Sequence, residues 1–167
     1  MNLTVTSAAD GAWLDWGAGQ RACAIGPGGI AVKGGEGDGI TPRGTFALRE
    51  IFYRADRITK PDTVLPTRAI EKDDGWCDAP GDPNYNRLVK LPYPASAETM
   101  WRDDHLYDLV LVLGYNDDPV VVGKGSAIFL HLARSDYSYT HGCVALQYQD
   151  ALAALEQLQP GDTIQIV

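Results

Sequence analysis

Short runs rich in Val, Ile, Leu, Thr and Tyr, set between glycines and prolines, give this chain its rhythm and predict strands. The candidate strands are Leu3–Thr6, Ala12–Trp16, Arg21–Ile25, Gly44–Arg54, Tyr107–Tyr115, Ala127–Ala133, Val144–Gln147 and Asp162–Val167. One segment departs from this pattern. Between Tyr148 and Leu158, apolar residues fall at 151, 152, 155 and 158, the spacing of one helical face. Asp150 suits the positive end of that helix, and Pro160-Gly161 stops it. The prediction is a mainly β fold with an α+β margin: one domain over 1–167, with one main helix near the C-terminus.

From about 58 to 104 the pattern lapses into charges and prolines, including Asp73-Asp74, Asp82-Pro83 and Leu91-Pro92-Tyr93-Pro94, and predicts a long loop insert. A loop of that length in a compact domain carries function or is held down, here by Trp76, Tyr85, Tyr93 and Trp101.

Composition narrows the choice of partners. The net charge of -8 comes with no run of Lys or Arg to meet phosphates, which argues against nucleic acid. No stretch approaches the ~20 apolar residues of a membrane-spanning helix. The start lacks the basic and apolar regions of a secretory leader. The expectation is therefore a cytoplasmic protein if Met1 is the native start, and a periplasmic or envelope protein if a leader was removed. Cys23, Cys77 and Cys143 are an odd set, widely spaced, unlike a structural zinc site, so no metal is expected. Cys23 and Cys77 read as buried thiols, or as a disulfide in an exported protein.

The chemistry concentrates in Ile128-Phe129-Leu130-His131 and Thr140-His141-Gly142-Cys143-Val144-Ala145-Leu146. His131 ends one apolar segment and Cys143 begins the next, so a loop folding back brings thiol and imidazole together. The imidazole can take the thiol proton and return it to a leaving amine. Gly142 lets the backbone N–H groups at 142 and 143 approach a developing oxyanion. By spacing alone a buried structural Cys and a core His are equally open readings.

The Thr140–Leu146 segment resembles the S/T-H-G-C signature of the L,D-transpeptidase (YkuD) catalytic domain, with His131 in the place of the upstream histidine. Thr41-Pro42-Arg43-Gly44-Thr45-Phe46 is similar to a second stretch of that family, T-P-x-G-x-F. The resemblance implies a YkuD-like β-sandwich or mixed sheet. It also implies Cys143 as nucleophile, His131 as base, Gly142 and Cys143 as oxyanion donors, and His141 beside the thiol, where a hydrogen-bonded brace is the alternative. It implies no cofactor, and peptidoglycan stem peptides as partners.

Two departures stand out. Ala145 replaces the Arg or Asn usual in that family, with Arg134 as a substitute, and Leu132 replaces a small residue after the histidine. The insert is expected to cap the substrate groove. Arg87 or Arg134 would meet a stem-peptide carboxylate there, and Trp76, Tyr115 and Asn116 are further candidates for substrate contact. The implied reaction is L,D-transpeptidation: thioester formation at diaminopimelate, loss of D-alanine, and transfer to an amine in a 3-3 or 1-3 cross-link. Hydrolysis of the same thioester, or an inactive peptidoglycan-binding module, are the alternatives.

Overall fold

A computed structural model describes residues 1–167. In chain order the strands are β1 (Asn2–Ala8), β2 (Gly11–Asp15), β3 (Arg21–Ala24), β4 (Ile30–Ala31), β5 (Thr41–Pro42), β6 (Gly44–Tyr53) and β7 (Thr67–Ala69). They continue with β8 (Asp74–Cys77), β9 (Leu88–Lys90), β10 (Ala97–Thr99), β11 (Leu109–Leu113), β12 (Phe129–Leu132) and β13 (Val144–Leu146). The helix α1 (Tyr148–Leu155) and β14 (Thr163–Ile166) complete the chain. The fold is mainly β with one helix near the C-terminus, as the pattern predicts, and all eight expected strands are present. The helix ends at Leu155 rather than Leu158; Leu158 still enters the core, from the turn that follows.

A nine-stranded sheet runs β11-β12-β13-β3-β2-β1-β14-β6-β7, and β11 also pairs with β6, so the sheet closes on itself. Alternation along the strands gives its faces different jobs. Leu130, Leu132, Val144 and Leu146 enter a core of 24 buried residues that also holds Leu3, Val5, Ile164, Ala151 and Leu155. The odd-numbered neighbours Phe129, His131, Cys143 and Ala145 are also buried and, by the same alternation, look out on the opposite face.

That second face is covered by the segment expected to be a loop. The insert contains β7, added to the edge of β6, and a separate three-stranded sheet β10-β8-β9. Trp76, Ile70, Met100, Leu106 and Tyr107 pack with Phe52, Val110 and Phe129 in a second core. Trp76 meets Phe129 edge-to-face at 5.1 Å and Phe52 at 6.5 Å. Burying each such side chain contributes roughly 1.5–3 kcal/mol. The exposed Lys90 pairs with Glu71 and Asp73 are worth little in water, so the insert is held by apolar burial together with the buried Asp74 carboxylate, which pairs with Arg68 of β7 and Lys90 of β9. The sequence conceals these strands because each is only three or four residues long.

Candidate active site

Strand pairing brings the two motif residues together. Strands β12 and β13 run parallel with Leu130 opposite Val144 and His131 opposite Ala145. One step back along that register, Cys143 stands beside Phe129, whose N–H donates to Cys143 Sγ at 3.4 Å. His131 and Cys143 therefore project from the same face, diagonal to each other on adjacent strands. Both line one open groove of about 590 Å³, shared with Glu36, Asp78, Glu98 and Arg102 among others.

Burial disfavours the charged form of both partners. Burial pushes the Cys143 thiol up to about 12, Glu98 adds to the rise, and the Phe129 N–H and the Lys33 charge pull against it. The thiol donates to the Ala127 carbonyl at 3.2 Å. Burial draws the His131 imidazole down to about 4. Its Nδ1 lies 2.9 Å from the Leu132 carbonyl, which can only accept, so Nδ1 carries the proton and Nε2 keeps its lone pair. The Leu132 backbone, not its side chain, therefore orients the imidazole.

The loop before the nucleophile is braced internally. Thr140 Oγ1 donates to the Cys143 carbonyl at 2.7 Å and accepts the Gly142 N–H at 3.1 Å. Gly142 has φ +123°, and a Cβ there would stand 2.8 Å from the Ile40 carbonyl, so only glycine fits. Its N–H is spent on Thr140, whereas the Cys143 N–H has no partner within the chain. Lys33, buried beneath this loop, pairs with Asp38 at 2.5 Å.

The other expected residues divide. His141 and Arg134 line the groove, both exposed, and Arg134 makes no ion pair. Trp76, Arg87, Tyr115 and Asn116 do not line it. Trp76 is buried in the second core, and its Nε1 donates to Asn86. Arg87 is exposed elsewhere. The Tyr115 hydroxyl donates to the Lys124 carbonyl, and Asn116 stitches its own turn through Val121 and Gly125. Ala145 packs with Ala24 and Ala133 against Tyr137, so no polar group replaces the missing one at that position. Cys23, Cys77 and Cys143 are all free, which removes the disulfide alternative.

Sequence inspection missed the groove's far wall: Glu98 and Asp78 from the insert's sheet region, Tyr107, and Ser126. Nothing in the spacing of these residues marks them, because the insert's folding places them.

A buried thiol and an oriented imidazole share one groove of a closed mixed sheet, the pairing of side chains that thiol–imidazole acyl transfer needs. The family description L,D-transpeptidase catalytic domain (YkuD) matches residues 8–166, nearly the whole chain. The chain belongs to that family. No curated protein and no solved structure matches it.

Proposed function

We propose that the chain is a peptidoglycan L,D-transpeptidase in which Cys143 attacks the amide after diaminopimelate in a donor stem peptide. The observation that carries this reading is the placement of His131 and Cys143 on one face of adjacent strands in one groove, with Nδ1 held by Leu132. The thiol leaves the Ala127 carbonyl, gives its proton to His131 Nε2 and bonds to the carbonyl carbon. The Cys143 N–H faces the charge that develops on oxygen. His131 then protonates the leaving D-alanine amine, and a thioester remains. An incoming amine reverses the sequence and forms a 3-3 cross-link, or a 1-3 cross-link to an L-alanine amine. Neutral resting partners suit this order, because the charge pair forms only when substrate is present to use it.

The reading places the protein where peptidoglycan is assembled, in the periplasm or cell envelope. The test is incubation with disaccharide-tetrapeptide muropeptides, with Cys143→Ala as control and products read by mass spectrometry. A Cys143-dependent dimer with loss of D-alanine is expected. Trimmed monomer alone would make the chain a hydrolase, and no product in either sample would make it a binding module.

A further inference from the structure

Acyl transfer to an amine has a proton problem that one histidine does not solve. An acceptor amine arrives as an ammonium at neutral pH and must lose one proton before it can attack and a second afterwards. His131 takes the second and passes it to the departing Cys143 sulfur, which restores the neutral pair. The first proton needs another acceptor beside the thioester.

The groove's far wall holds a group of the right kind. Glu98, on β10, takes the Tyr107 hydroxyl at 2.5 Å on one carboxylate oxygen, and no protein group bonds the other. Tyr107 in turn lies edge-on to the His131 ring at 5.3 Å, so one side chain spaces the carboxylate from the imidazole. Asp78 and Ser126 share the groove with Glu98. Asp78 Oδ1 and Ser126 Oγ are two of only three buried side-chain polar atoms in the chain without a hydrogen-bond partner. Ser126 is 7% exposed. Buried polar groups are seldom left unpaired unless something binds them. Two carboxylates and a hydroxyl acceptor facing a groove suit a cation with several N–H donors, and an ammonium is such a group.

We propose that Glu98, with Asp78 and Ser126, receives the ammonium of the acyl acceptor and takes its first proton. The inference rests on the transpeptidase reading and adds the site for the second substrate. Burial and the nearby Asp78 raise the Glu98 carboxyl above its ordinary range against the pull of Tyr107 and Arg102, which makes it a better base near neutrality. The balance closes: Glu98 gains one proton and the free amine attacks the thioester carbon. The C–S bond breaks, the second amine proton reaches sulfur through His131, and Glu98 returns its proton to water.

The test compares two amines as acceptors for the preformed acyl-enzyme. D-methionine is an ammonium at neutral pH, whereas hydroxylamine is already unprotonated. Glu98→Gln should still form the acyl-enzyme, and from that preformed state hydroxylaminolysis should stay within about two-fold of wild type. Transfer to D-methionine should fall about ten-fold or more and recover as pH rises toward that amine's own pKa. Glu98→Asp should restore part of it. Equal loss with both amines would overturn the proposal in favour of a structural role, and so would undiminished transfer to D-methionine. Retained acyl-enzyme formation certifies that the variant is folded; should Glu98→Gln not fold, Asp78→Asn takes its place, with a weaker loss confined to D-methionine expected. A wild-type protein that forms no acyl-enzyme would instead sink the transpeptidase reading itself.

Discussion

Asn86 Oδ1 accepts the Ala127 N–H at 3.0 Å, and Ala127 presents its carbonyl to the Cys143 thiol at 3.2 Å. Ala127 holds φ at +54°, a conformation a residue with a Cβ rarely adopts unaided. The same Asn86 accepts from Trp76 Nε1 and donates to the Tyr115 and Asn116 carbonyls. A single buried amide thus ties the insert to the segment leading into β12, which carries the nucleophile's resting partner.

Asn86→Ala removes all of these bonds and strands their buried partners. The expected cost is about 3 kcal/mol, read as a lower urea midpoint at unchanged slope. An unshifted midpoint would mean that the fold does not depend on this amide.

The resting thiol is neutral, so its alkylation by iodoacetamide should be slow at neutral pH and climb steadily into the alkaline range, following a pKa lifted by burial to about 12. An inflection near neutrality would instead reveal a thiolate–imidazolium pair already formed at rest.

His131 links stability to pH. Burial lowers it from the ordinary 6.5 to about 4, so as pH falls through that interval the unfolded chain takes up a proton that the folded chain refuses. Stability should drop by roughly 3 kcal/mol between the two values on this account alone. His131→Gln should flatten that part of the urea-midpoint profile and abolish acyl-enzyme formation; a profile as steep as wild type would assign the acid sensitivity to other groups.

Gly142→Ala forces a Cβ to 2.8 Å from the Ile40 carbonyl at a φ that disfavours it. A loss of roughly 1–3 kcal/mol is expected, together with at least about a ten-fold drop in acylation as the Cys143 N–H shifts. Thermal melting and D-alanine release measure the two effects, and wild-type release from a stable Gly142→Ala protein would contradict the rigid-loop account.

How much could be seen in advance depended on where the information lay. Strands such as β1 and β11 announce themselves because their own alternation or apolar run is local. Cys143 and His131 were legible because both sit in contiguous motifs at strand ends. The insert's strands were not, since Thr67–Ala69 or Ala97–Thr99 carries too few residues to show a period and forms only by pairing with distant segments. Glu98 and Asn86 were hidden for the same reason: their roles arise from what the insert lands on. Arg87 and Trp76 drew notice by residue type, but the fold sends one to solvent and the other inward.

The second core has a consequence for how this domain can vary. Trp76, Phe129 and Tyr107 form a continuous edge-to-face chain from the insert to the histidine. Grafting a different insert onto this scaffold would therefore not be a modular exchange of specificity. The graft would have to reproduce an aromatic seat for Phe129 and a wall for the groove at once, so changes in what the groove accepts and changes in how the nucleophile is held are bound to travel together.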